Sequence, residues 1–219
     1  MAHPRHNTRA QLIKAATSLF AEHGIAATTL AMIAERAELT PAMVHYHFRD
    51  RDELIDAVVE ERLLPFLREV WGPVKPGDDP VETIRAVVDR MLTVIAREPW
   101  VPSTWMREIL NENGLLRTRI VRYIPRDRIL GLAQAIHVGE TKGTLNSDMH
   151  PLLVIFSLIG LVMVHSATNK AFAQIFQRPA FSAEEIHRHI TGLVLEGLSG
   201  KPLHNDATSA PLPAEGDRS

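Results

Sequence analysis

Apolar residues recur at spacings of three and four along most of this chain and alternate over short stretches almost nowhere, which is the pattern of helices rather than strands. In "NTRAQLIKAATSLFAEHG", Leu12, Ala15, Ala16, Leu19 and Phe20 form one stripe and Gly24 supplies the stop, so a first helix is predicted from about Thr8 to His23. "TTLAMIAERAELTPAMVHYHF" predicts two short helices. Thr29 caps the first, which turns Ile33, Ala34 and Ala37 to one side. Thr40 caps the second and Pro41 takes its first position, where a missing N–H costs nothing. Only Glu38 and Leu39 stand between them, which forces a sharp corner. A fourth helix starts after Asp50, with Leu54, Ala57, Val58 and Leu64 inward and Pro65 near its end.

The stretch "WGPVKPGDDP", residues 71 to 80, holds three prolines and two glycines and reads as a junction. Beyond it, helices are predicted at about 80–97, 102–112, 115–138, 150–176 and 182–198, with Pro125 kinking or splitting the third. The expected fold class is all-α. It divides into an N-terminal unit at 1–55, a linking fourth helix at 51–68, a larger helical part at 72–200 and a tail at 201–219. The tail's proline, alanine, serine and charge predict disorder.

Composition narrows the function classes only slightly. With 219 residues, 45% of them hydrophobic, the chain can bury a sizeable core. The net charge of −2 points to no partner, but residues 1 to 51 carry six basic against four acidic side chains and five of the eleven histidines. That asymmetry keeps a nucleic-acid partner open at this end. The absence of cysteine excludes disulfides and thiolate zinc sites. The polar start "MAHPRHNTRAQ" does not resemble a signal peptide. "PLLVIFSLIGLVMVHSA", residues 151 to 167, carries no formal charge and reaches the short edge of a membrane span, which needs roughly 17 to 25 residues. Ser157 and His165 interrupt it. A helix buried on nearly all sides, in the core or in a subunit interface, is expected instead, with no membrane partner and a cytoplasmic location.

Two short helices around a tight turn, the second opened by a capped proline, match a helix-turn-helix, although an ordinary helical corner has the same spacing. More residues agree with a specific pattern. Phe20 to Gly24, Thr29 with Ile33 and Ala34, Leu39 and Thr40, the run His45-Tyr46-His47-Phe48, and Arg51 with Leu54 together resemble the N-terminal segment of the TetR family of ligand-responsive transcriptional regulators. The resemblance covers about residues 8 to 60. Two positions depart from it. Glu38 stands where the family usually carries glycine, and a left-handed backbone there would be strained by roughly 1 kcal/mol. His45 replaces the usual first tyrosine, and imidazole can gain a proton near neutrality.

On this template Val44 and Phe48 share a face and pack against Leu39, Ile33 and Phe20. His45, Tyr46 and His47 then face phosphates, with Arg51 supplying charge. Thr29 and Thr40 lie at helix starts, which favour phosphate. Pro41, Ala42 and Met43, with Ala31 on the preceding helix, are left to read bases. Their methyl and methylene groups suit thymine rather than a bidentate arginine–guanine pair, so specificity is either weak per residue or leans on DNA shape. Arg5 and Arg9, taken to precede helix one, either reach the DNA backbone or minor groove or are solvated tail charges.

For residues 72 to 200 the resemblance implies a helical ligand-binding and dimerisation domain. "REILNENGLLRTRIVRYIPRDRILGLAQAIHVGETKGTL" resembles one branch of the family but carries no ligand over. The last two helices are the candidates for a two-fold dimer: the run from Leu152 to Phe176, with small Gly160, Ser166 and Ala167, and the stripe Ile186, Ile190, Leu193, Val194 and Leu198. Met91, Trp100, Trp105, Met106, Phe156 and Met163 are large, adaptable side chains expected to line a closed apolar pocket, with Arg107 or Glu108 orienting a polar group. Core packing accounts for any one of them better than ligand contact does. His187 and His189 fall on different helix faces and make a poor metal pair, so neither a metal nor another cofactor is expected. No nucleophile–base pair or phosphate-cradling loop suggests an enzyme. The expected function is a homodimeric regulator, most simply a repressor, that binds a palindromic double-stranded operator and is released by a small, largely apolar effector. The alternative is a constitutive or architectural DNA-binding regulator without a ligand.

Overall fold

Every element among the described residues is helical, and no strand forms there. The computed structural model describes residues 4–75 and 77–200, with side chains from residue 8 onward. The tail from Lys201, expected to be disordered, and the Arg5 side chain lie outside the described residues.

Helix α1, Pro4–His23, begins earlier than Thr8 because a proline at the first position suits a helix start. It ends where Gly24 adopts a φ of +80°. Helices α2, Leu30–Arg36, and α3, Pro41–His47, follow as predicted. The Thr29 hydroxyl accepts the Met32 N–H at 3.2 Å. Thr40 has the extended backbone of a cap but makes no side-chain cap bond. The corner is closed by the Leu39 N–H donating to the Ala34 carbonyl at 2.9 Å, with Glu38 at a φ of +57°. The strain expected of a non-glycine residue at this turn is therefore present.

Asp50 caps α4, Arg51–Val58, by accepting the Glu53 N–H at 2.9 Å. Contrary to expectation, the chain does not stop near Pro65. A π-helical turn, Val59–Leu63, leads into α5, Leu64–Trp71, with Pro65 in its first turn. A proline lacks the N–H a continuous helix would use and crowds the preceding turn, and the wider turn before it relieves both conflicts.

After the junction, Asp79 caps α6, Pro80–Arg97. Helix α7, Trp100–Thr104, passes into a second π-helical turn, Trp105–Ile109. Pro125 splits the helix predicted at 115–138 into α8, Leu115–Ile120, a 3-10 turn at Val121–Tyr123, and α9, Arg126–Thr141. Helices α10, Pro151–Ile175, and α11, Ala183–Ser199, complete the order, the latter opened by a reciprocal capping box between Ser182 and Glu185.

One continuous apolar core runs from Leu12 to Leu198. Helix α6 is central, touching α5, α7, α9, α10 and α11, while α1 packs on α7. Of the expectations about the last two helices, that for the α11 stripe needs correcting. Helix α10 is long and apolar enough to cross a membrane by length and composition, yet this single chain buries only one of its faces, through Val154, Ile155, Leu158, Val162 and Met163. Most of the predicted α11 stripe faces inward: Ile186, Ile190, Val194 and Leu198 are buried, and only Leu193 is exposed. Those residues cover α6 and α10, so they are not free to meet a second subunit.

Candidate nucleic-acid interface and effector cavity

Helix α3 is held by two side chains on one face. Val44 and Phe48 have no exposed surface and join Phe20 and Ile33 in the core. The opposite face is thereby left open: Thr40, Pro41, Ala42, His45 and Tyr46 are exposed, together with Thr29 and Ala31 on α2. Met43 and His47 are half-buried. The Tyr46 ring, 61% exposed, meets the His47 ring edge-on at 5.1 Å between centroids. Helix α2 is locked to α1 by Arg36, whose two terminal nitrogens each donate to Glu22 at 2.8 Å. Hydrogen bonds from Arg36 first and Ser18 second lower the Glu22 pKa to about 2.

Two arginines are not placed as expected. Arg51, assigned to phosphate, is half-buried and donates to the Ile25 carbonyl. Arg9 does not precede the first helix but sits within it, donating to Glu61 and lying over the Phe48 ring at 5.1 Å from its centroid. The positive charge presented beside α3 is instead Arg49, whose side chain is 85% exposed and only distantly approached by Asp50 at 3.4 Å. Its position directly after the buried Phe48, where the chain leaves the helix, was the signal in the sequence for it.

The C-terminal part encloses a cavity of about 400 Å³ between α5, the second π-helical turn, α8, α9 and α10. Of the expected lining residues, Trp105, Met106, Phe156 and Met163 reach it. Met91 is buried inside the core on α6, Trp100 turns away to donate its ring N–H to Glu98 at 2.6 Å, and Arg107 is exposed outside the cavity. Trp105, Met106, Ile109 and Leu110 share the cavity side of this helical segment, and Arg107, two residues from Trp105, lies on the opposite side. The cavity is apolar as expected but not closed, since Leu110, Phe156 and Val164 on its wall are exposed. Trp71 and Leu67 from α5, Ile159, Gly160 and Val164 from α10, and Arg117 complete much of the lining. The α10 residues were legible from periodicity, as they follow Phe156 at three, four and eight positions. A larger groove of about 760 Å³ between residues 77–81 and 131–145 is more open and carries Asp78, Asp79 and Lys142.

Glu108 has a different role from the expected orientation of a ligand. Its carboxylate is buried and accepts the Ile25 N–H at 2.8 Å and the Leu115 N–H at 3.1 Å. Ile25 lies one residue beyond Gly24 at the end of α1, and its two flanking peptides are held by Glu108 through the Ile25 N–H and by Arg51 through the Ile25 carbonyl. Three further contacts join the cavity wall to α4 and the π-helical turn after it. Arg119 donates to Asp52 at 2.6 Å and Asp56 at 2.8 Å, and the Tyr123 hydroxyl donates to Glu60 at 3.2 Å. The walls of the cavity and the base of the exposed α3 face are thus parts of one hydrogen-bonded assembly. Among the described residues no group of three histidine or acidic side chains is placed to hold a metal ion.

Residues 12–58 match the family model described as bacterial regulatory proteins, tetR family, and residues 80–194 match that of a tetracyclin repressor-like C-terminal domain. The chain is similar to the HTH-type transcriptional regulator BetI of Burkholderia cenocepacia, 33% identical over 107 residues that cover 47% of this chain and 53% of the relative. The corresponding regulator of Paraburkholderia phymatum is 30% identical over 125 residues, 53% of this chain and 62% of the relative. The chain therefore spans little more than half the length of the curated relatives it matches. In fold it is similar to SmeT in its complex with triclosan, with a TM-score of 0.61 at 24% identity over 89% of this chain and 92% of the other. The ketosteroid transcriptional regulator KstR2 of Mycobacterium tuberculosis has a TM-score of 0.66 at 18% identity over 88% of this chain and 95% of the other. The chain belongs to the TetR family, with an N-terminal helix-turn-helix and a larger helical C-terminal domain.

Proposed function

We propose that this regulator is a cytoplasmic homodimeric repressor that grips a palindromic operator and lets go when a small, largely apolar molecule enters the cavity. The division that goes with this reading assigns residues 1–55 to DNA, the helix at 51–68 to linkage, and residues 72–200 to effector and partner subunit. The observation that carries it is the pairing of an exposed α3 face with an apolar cavity whose wall is bonded, through Glu108, to the peptide that follows α1.

On DNA, Thr29, Thr40, His45, Tyr46 and His47 meet phosphates, while Ala31, Pro41, Ala42 and Met43 face base edges. Arg49 takes the charged role that Arg51, turned toward Ile25, leaves open. The subunits meet through the faces of α10 and α11 that the single chain leaves uncovered, where Leu153, Phe172, Ile175, Phe176 and Leu193 are exposed. Two α3 helices in a two-fold dimer must be spaced about 34 Å apart to enter successive major grooves. An effector that wedges the cavity wall moves Glu108 and hence Ile25, favouring dimers whose α3 spacing no longer fits. The solved complex of SmeT with triclosan supports an apolar effector in this fold.

A gel-shift of the full chain on the DNA upstream of its own gene tests the reading. A retarded band at low salt that competes poorly with unrelated DNA is expected. No retardation of that fragment at low salt would count heavily against operator binding.

A further inference from the structure

The cavity's lining is apolar except at one place, and that exception has a sign. Arg117 on α8 is the single charged side chain among the lining residues, and no acidic residue accompanies it. Its guanidinium has no carboxylate or carbonyl partner among the described residues, whereas other arginines nearby are occupied. Arg119 is held by Asp52 and Asp56, Arg128 donates to the carbonyls of Gly72 and Val74, and Arg122 lies over the Tyr123 ring at 5.0 Å. The acidic groups that might have neutralised Arg117 are spent elsewhere: Glu108 on two backbone N–H groups and Glu60 on the Tyr123 hydroxyl.

The same sign continues beyond the rim. A polar groove of about 450 Å³ shares Val121, Ile124 and Pro125 with the cavity wall and contains Arg122, Arg126 and Arg128 against Asp127 alone. Arg126, like Arg117, has no ion-pair partner among the described residues. An apolar chamber edged by unpaired guanidinium groups is complementary to an amphiphile, with hydrocarbon inside and an anionic head at the mouth. Guanidinium stays charged at any physiological pH and binds carboxylate or phosphate with two parallel hydrogen bonds.

We infer that the effector of this regulator is an anionic amphiphile, an apolar body with a carboxylate or similar oxyanion that Arg117 holds at the cavity mouth, with Arg126 as the second cation. This rests on the effector-cavity reading above. It disfavours cationic amphiphiles, since Arg117 repels them and no acidic residue lines the cavity, leaving only the rings of Trp71, Trp105 and Phe156 to attract them.

Three probes with the same ten-carbon chain separate the possibilities: decanoate, decanol and decyltrimethylammonium, each kept below its aggregation concentration at neutral pH. Binding to the full-length protein is read from tryptophan fluorescence, because Trp71 and Trp105 line the cavity, and is checked by calorimetry. Decanoate is expected to bind about tenfold more tightly than decanol, the worth of a charge-assisted hydrogen bond, and the ammonium compound most weakly. R117Q should erase the preference for decanoate over decanol while leaving decanol unchanged, R126Q should reduce it in part, and R117K should restore some of it. Inorganic phosphate alone should not compete measurably; competition comparable to decanoate would place the anion site outside the cavity and overturn the assignment. Equal affinities for decanoate and decanol, or an undiminished preference in R117Q, would overturn the anionic assignment while leaving an apolar effector cavity standing. If none of the three binds, the effector-cavity reading falls with it.

Discussion

The α1–α3 unit and the cavity-forming segment between Trp105 and Ile129 obey different rules. In the first, α2 and α3 are short, each helix starts at a residue suited to that position, and the corner between them is closed by contacts close in sequence, while α1 also packs on α7. Thr29 caps, Pro41 starts, Gly24 stops, and Val44 and Phe48 anchor. The second is a series of interrupted helices whose conformation is held from outside, by Glu108 to Ile25 and by Arg119 to Asp52 and Asp56. On the proposed function, the surface that matches a DNA groove is built from local rules, and the wall that yields to a ligand is built from interruptions and tied to the first part by a few polar contacts.

The comparison breaks most visibly at Glu108. Replacing it by alanine orphans the buried Ile25 N–H and the part-buried Leu115 N–H, one in each region, and should destabilise the fold by about 2–3 kcal/mol in urea denaturation. Glu108→Gln, which keeps one acceptor, should fall between. A loss under about 0.5 kcal/mol in the alanine variant would mean that the two regions do not lean on this contact. Next in size is Gly160→Leu. A side chain at this position meets open space, so filling the cavity should raise stability by about 1–2 kcal/mol and abolish decanoate binding with operator affinity unchanged. Decanoate binding that survives the substitution would locate the ligand elsewhere.

Within the rigid unit the expected effects are smaller. Glu38→Gly removes a side chain from a backbone at φ +57° and should stabilise by about 0.5–1 kcal/mol, less whatever the unfolded chain gains in freedom. A lower melting temperature in that variant would argue that the corner carries no strain. The smallest effect concerns the Arg36–Glu22 pair. The folded pKa of Glu22 is lowered from 4.5 to about 2, so its contribution is fully present above pH 4.5 and is lost as pH falls through about 2. Because the pair is 40% and 43% exposed, the contribution should be about 0.5 kcal/mol or less. Glu22→Gln should remove that part of the acid sensitivity, and an unchanged acid titration of stability between pH 4.5 and 2 would show that the pair does not contribute.

What was legible in the sequence follows the same division. The helix boundaries of α2, α3, α6, α10 and α11 lie close to where caps, prolines and periodicity put them, because those signals are local. The inward faces of Val44 and Phe48 were equally plain. Arg9 and Arg51 were misplaced because an arginine's partner depends on which elements pack together: Glu61 and the Ile25 carbonyl are far from them in the chain. The cavity residues were half found for a related reason. A large apolar side chain reads the same whether it fills a core, as Met91 does, or borders a void, as Met163 does. The α11 stripe was visible, but periodicity cannot tell whether it faces the chain's own core or a second copy.

The central claim is that the exposed face of α3 is what holds DNA. Fluorescence anisotropy of a labelled fragment of the chain's own upstream DNA, titrated with wild type and with Tyr46→Ala, tests it most directly. Tyr46 is solvent-facing, so the variant should melt at the wild-type temperature while binding about tenfold more weakly, the cost of a lost phosphate contact. Equal affinity for the fragment in the two proteins would contradict the account.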